Sequence, residues 1–220
     1  MRIAISQRLT ALAGIARAFR GASVLAAGLL FAPAAGAQTL ASLPSVPSII
    51  AAVGQARPIA AWVTFCETYA AECAVDRNEP TEIALTPAIW STIVSVNRKV
   101  NNSLRAVTDM EHFHVADRWD LAEDGAGDCE DYQLLKRKLL ADAGLPRRAM
   151  RMTVVIDEKG EGHAVLTLIT SRGDLILDNK TSTILPWRQT GYTFIKRESQ
   201  DAVAWVSLGR AASPVTTANR

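Results

Sequence analysis

The apolar pattern of the chain changes period once, at Pro146, and that change restricts the fold more than any other feature. Before it, Tyr132, Leu135, Leu139 and Leu140 repeat at helical spacing from Cys129 onward, with Asp128 placed to cap the start and Gly144 and Pro146 to end it. After it, Met150, Met152, Val154 and Ile156 alternate with Ala149, Arg151, Thr153 and Val155; "EKGEG" then makes a turn, "HAVLTLIT" a second strand, "SRGD" another turn and "LILDN" a third. A helix followed by an antiparallel meander specifies an α+β fold. "YTFIKR" and "AVAWVSL" can extend the sheet. Upstream, Thr86 and Pro87 mark the start of another helix that runs to about Ser103, with Ile89, Ile93, Val96 and Val100 on one face.

Residues 1–37 hold Arg2, Arg8, Arg17 and Arg20, no acid, the apolar run Ala22 to Phe31, and an Ala35-Gly36-Ala37 triplet before Gln38. This is the form of a secretory signal peptide with its cleavage site; an uncleaved anchor is the alternative. The run is short for a bilayer, so no stable membrane span is expected after cleavage. Taking those four arginines from 24 Lys and Arg leaves 20 against 22 Asp and Glu. The near-neutral remainder has no basic block interleaved with aromatics, which argues against nucleic acid as a partner. Residues 38–60, rich in Ala, Pro and Ser, read as a flexible mature N-terminus, residues 61–208 as one domain, and residues 209–220 as a disordered tail.

Of three cysteines, Cys66 and Cys73 are close in sequence and can pair in an oxidising compartment, which leaves Cys129 over. In "GDCEDYQLL" that residue lies among Asp128, Glu130 and Asp131 at a helix start. The helix dipole there favours a thiolate, whereas the carboxylates disfavour it. A buried inert thiol is the alternative. The histidines are His112, His114 and His163. His163 opens the second meander strand and Asp178 closes the third, and chain reversal brings such ends side by side. Cys129, His163 and Asp178 are therefore a candidate unit of thiolate, acid-base imidazole and tautomer-fixing carboxylate. Each has a plainer reading: His163 as a polar strand residue, Asp178 with Asn179 as a turn pair. His112 and His114 with Asp117 are a weak pattern for a transition metal.

The stretch "DRWDLAEDGAGDCEDYQLLKRKLLADAGLP", with "GHAVLTLIT" and "LILDN", resembles the bacterial transglutaminase-like cysteine proteinases over roughly Phe65 to Lys196. The resemblance implies a papain-like core in which the helix bearing the nucleophile packs on an antiparallel sheet, with Cys129 as nucleophile, His163 as base and Asp178 as orienting acid. The best-known members are periplasmic, calcium-dependent LapG-like proteases that cut large biofilm adhesins. The resemblance thus implies a periplasmic location, a protein substrate such as a surface adhesin, and an inner-membrane receptor as regulator. It also implies Ca²⁺ held by Asp128, Glu130 and Asp131, an ion that takes oxygen ligands. Helix capping is the plainer account of these acids, and the favoured one for Asp128. The histidine motif "GHAVL" departs from the Ala-His-Met-Val form expected of the family but leaves the triad intact. The expected activity is peptide hydrolysis by an exported cysteine endopeptidase. The alternatives are acyl transfer to an amine and a non-catalytic calcium-dependent peptide-binding module.

Overall fold

The computed structural model describes residues 38–43 and 46–209; the expected signal peptide and residues 210–220 of the expected tail lie outside them. In chain order the elements are β1 (Gly54–Ala56), α1 (Ala60–Thr68), α2 (Ala70–Cys73), α3 (Pro87–Ser103), β2 (Arg105–Ala106), α4 (Asp109–His112), β3 (Ala126–Gly127), α5 (Cys129–Asp142), β4 (Met150–Ile156), β5 (Gly162–Thr170), β6 (Gly173–Leu177), β7 (Leu185–Pro186), β8 (Thr193–Glu198) and β9 (Trp205–Ser207). The main sheet has seven strands in the order β1-β9-β8-β4-β5-β6-β7, antiparallel throughout. Helix and antiparallel sheet together make the α+β class. Among the described residues, no helix is long and apolar enough to cross a membrane.

Period-2 alternation in β4 to β6 sends side chains to two covered faces. Met150, Met152, Val154, Leu166, Leu168, Leu175 and Leu177 share the main core with Trp62, Phe65, Trp90, Ile93, Leu134 and Leu140. Val155, Val165, Ile176 and Phe194 form a second core that includes Ile50. Both faces are covered, which is why Leu175, Ile176 and Leu177 of β6 are apolar on both sides of the sheet.

The cover on the second face corrects one expectation. Residues 38–60, read as flexible, carry a strand of the main sheet and a strap across it: Asp174 N–H donates to Ser48 O (2.9 Å), and Ile50 N–H donates to the Asp174 carboxylate (2.9 Å). Leu43, Ile50 and Ile59 join the cores, but the apolar residues of this segment follow neither a helix nor a strand period among its Ala, Pro and Ser, and the backbone bonds that hold it are invisible in composition. Gly173 lets the strap pass. Its φ is +92°, and a Cβ there would lie 2.5 Å from Ser48 N. Gly173→Ala is expected to cost about 2 kcal/mol or more through left-handed strain and displacement of the strap, a fall of roughly 5 °C in Tm. An unchanged thermal midpoint would show that the strap is not fixed at this point.

In α3 the Thr86 hydroxyl accepts the Ile89 N–H (3.2 Å), and Pro87 occupies the first turn. The buried face is Trp90, Ile93, Asn97 and Val100, with Ile89 and Val96 only half-buried. The face is rotated from the apolar stripe because Trp90 Nε1–H donates to Gln38 O and Asn97 Nδ2–H to Ser182 O. In α5 the departure is larger: Leu135 and Leu139 are half-buried, while Gln133, Lys136 and Arg137 are fully buried. Arg137 pairs with Glu198 (2.6 Å), which also accepts from Trp62 Nε1 (2.7 Å) and Met152 N (3.0 Å). A charge so buried persists only with such partners. Cys66 and Cys73 form a disulfide between α1 and α2, and Cys129 stands outside it.

Candidate active site

Helix α5 begins at Cys129, directly after the short parallel pair of β2 and β3, so the thiol sits where first-turn N–H groups and the positive end of the dipole converge. Gly127 permits this entry, because a Cβ there would lie 2.6 Å from Asp131 Oδ2. Cys129 Sγ accepts from Ala164 N–H (3.4 Å) and donates to Glu130 Oε2 (3.1 Å). Ala164 follows His163 in β5, so the ladder that sets β5 also sets the distance between thiol and imidazole.

The register of β5 against β6, ending at Leu166 opposite Leu177, brings Asp178 back beside the start of β5. His163 Nε2 and Asp178 Oδ1 are 2.9 Å apart. With Nε2 committed to Asp178, Nδ1 is the ring nitrogen left available to Cys129. Cys129 and His163 are both fully buried. Burial alone would depress the imidazole, but hydrogen bonds to Asp178 and Cys129, and the charges of both, hold it up at about 9. Asp178 is pulled the other way: burial opposes its ionisation, yet the bond and charge of His163 and the Tyr192 hydroxyl keep it below the usual carboxylate range.

Two groups around Asp178 escaped the sequence reading. Tyr192 O–H donates to Asp178 Oδ2 (2.7 Å), and its ring meets that of His163 edge-on at 5.7 Å. Lys180 N–H donates to Oδ1 (3.1 Å). Tyr192 lies just before β8, in an irregular connection 14 residues beyond Asp178, and no local spacing marks it.

The acids named from the sequence, Asp128, Glu130 and Asp131, are all fully buried beside the thiol. Asp109 and Asp117 join them, and oxygens of Asp109, Asp117 and Glu130, or of Asp109, Asp128 and Asp131, lie within 4.8 Å of one another. Sequence reasoning missed Asp109 and placed Asp117 elsewhere, because α4 and the following loop reach the helix start only through the β2–β3 pairing. Asp131 takes N–H groups from Asp120 (2.8 Å) and Asp128 (3.3 Å) and so anchors the loop as well as the helix start. Asp128 Oδ2 accepts from Asp109 N–H (3.3 Å). Asp128 Oδ1 and Glu130 Oε1 have no hydrogen-bond partner. Burial first pushes Asp128 up to about 7 and raises Glu130 and Asp131 well above the usual range; the charge of Cys129 adds to this at Glu130, and the neighbouring acids add to it at all three. An all-oxygen donor set with orphaned buried oxygens fits a hard cation. The grouping of His112, His114 and Asp117 does not form: His112 Nε2 bonds Asp124 (2.8 Å), and no cation-capable cluster among the described residues contains a histidine. A cavity of about 510 Å³, lined by Phe65, Tyr69, Trp119 and Asp120, meets this acid cluster at Asp117.

Thiol, imidazole and carboxylate in this order can carry out acyl transfer, with the backbone N–H groups at the start of α5 available to a developing oxyanion. A family model described as bacterial transglutaminase-like cysteine proteinase matches residues 52–213. Solved structures of Legionella pneumophila LapG align with the chain. The calcium-bound form is 24% identical over 58% of this chain and 74% of that one, with a TM-score of 0.48. The EGTA-treated form is 25% identical over 57% and 69%, with a TM-score of 0.47. No protein of curated function matches significantly.

Proposed function

Because the chain belongs to the bacterial transglutaminase-like cysteine proteinases and is therefore a cysteine peptidase, we propose that it is an exported endopeptidase that cuts a periplasmic or surface protein with Cys129, His163 and Asp178. The observation that carries this reading is the buried His163–Asp178 pair, 2.9 Å apart, with His163 on a strand whose next residue, Ala164, donates its N–H to the Cys129 thiol at a helix N-terminus. The Cys129 thiolate attacks a peptide carbonyl carbon, and the oxyanion that forms is met by N–H groups at the start of α5. His163, as imidazolium, gives its proton to the amine as the C–N bond breaks. It then takes a proton from water, whose hydroxyl adds to the thioester carbon; the C–S bond breaks, releasing the acid and restoring the thiolate and imidazolium. Asp178 holds the ring with Nδ1 toward sulfur throughout. The amino-terminal segment supports export to the periplasm, and a large adhesin is a substrate of the class this location provides.

Calcium is the cation we assign to the acids. Asp128 and Glu130 would hold it through their unpartnered oxygens, with Asp109, Asp117 and Asp131 around them. When bound it would supply positive charge that offsets the carboxylates disfavouring a thiolate.

The test is product analysis on a peptide library derived from periplasmic and surface proteins, with and without a labelled primary amine. New amino termini that depend on Cys129, with no amine incorporated, are the expected result. Label incorporated at glutamine without new termini would instead assign amine acyl transfer.

A further inference from the structure

We propose that Lys136 is a positioning residue for this peptidase: two turns along α5 from the nucleophile, it binds the main-chain carbonyl of Asp178 and so sets the Asp178–His163 pair against Cys129. The inference rests on the reading of those three residues as the catalytic unit.

Lys136 is fully buried, and its Nζ donates to Asp178 O (2.9 Å) and to Gln133 Oε1 (3.2 Å). A seven-residue separation is nearly two helical turns, so Cys129 and Lys136 share a face of α5 about 10 Å apart along its axis. The β5–β6 ladder ends at Leu177, so the sheet does not hold the Asp178 backbone. Two helices hold it instead. Asn101 Nδ2 of α3 donates to the same carbonyl (2.9 Å) and to Thr181 O (3.1 Å), while Lys136 ties it to the element that carries the thiol. Misplacement of a reacting group by an ångström is costly to the rate, and this linkage opposes it. Burial lowers the amine to about 7 against the pull of the Asp178 charge. Charged or neutral, it still has an N–H to give the carbonyl.

Lys136→Met keeps the side-chain length and removes the donor. Asn101 still serves Asp178 O, but Gln133 Oε1 loses its donor, so the loss of the buried amine should lower Tm by only a few degrees, and the kinetics are read well below that midpoint. Its kcat should nevertheless fall about 10- to 100-fold with KM within about twofold, the signature of lost positioning. Alkylation of Cys129 by iodoacetamide at pH 7, which needs no peptide substrate, should slow about tenfold, as His163 loses its set orientation. Asn101→Ala, which removes the other donor, should lower kcat several-fold. Parental kcat and alkylation rates in Lys136→Met would overturn the proposal, and so would losses that merely follow a fall in Tm. If Lys136→Met does not fold, Asn101→Ala decides: unchanged kcat and alkylation overturn the proposal. Should the parent cleave no peptide at all, the protease reading fails by itself, and the alkylation comparison still decides the role of Lys136.

Discussion

Cys129→Ala is expected to abolish peptide hydrolysis, with a loss in kcat of about 10⁴-fold or more, while the protein remains folded. The substitution removes one buried atom at the first position of α5, where alanine suits the helix at least as well, so the thermal midpoint should move little. His163→Ala should lose a comparable amount, and the double mutant should be no worse than either single mutant, since members of one catalytic unit are not additive. A double mutant far below both singles would mean that the two residues act separately, and residual turnover in pure Cys129→Ala would end the protease mechanism as written. The pH profile carries the same information. His163, held at about 9, supplies the proton to the leaving amine, so the basic limb should descend as pH passes about 9. By linkage, a raised folded value stabilises the native state fully below the unfolded 6.5, and that contribution is lost as pH rises through about 9.

Removal of calcium is expected to lower activity and stability together. An ion that binds only the native state at a hundredfold excess over its Kd stabilises it by about 2.7 kcal/mol, so chelation should lower Tm by roughly 5–10 °C. Calcium should restore both, and magnesium much less, because it requires a tighter octahedral shell and gives up water reluctantly. Glu130→Ala should weaken binding more than Asp128→Ala, since Asp128 also ties α4 to the helix start through Asp109 N–H. The metal-free protein should in addition be more stable at pH 5 than at pH 8. Burial raises the folded value of Asp128 from 3.8 to about 7, so its contribution is complete below 3.8 and lost as pH climbs through about 7. Calorimetric titration of the stripped protein measures the binding directly. No heat at millimolar calcium, with activity indifferent to chelator, would leave the acids as anchors of the loop and the helix.

The sequence by itself determined the local elements and their order: Thr86 and Pro87 start α3, Asp128 precedes α5, and the change of period at Pro146 separates helix from meander. It also brought His163 and Asp178 together, because a short antiparallel connection leaves their strands one arrangement in which those ends are neighbours. What only the tertiary structure decided are the contacts made between distant elements. Lys136 and Arg137 are charged residues whose side-chain type assigns them to the surface, and they are buried because Asp178 O, just past the end of β6, and Glu198 of β8 accept from them. Residues 46–53 cover the second core through backbone bonds that no composition reveals. Asp109 and Asp117 reach the helix start, and Tyr192 reaches Asp178, across irregular connections that no helix or strand period describes. Helix and strand periods report on neighbours a few residues apart. A buried charge is permitted by its partner, and the partner is a property of the folded chain.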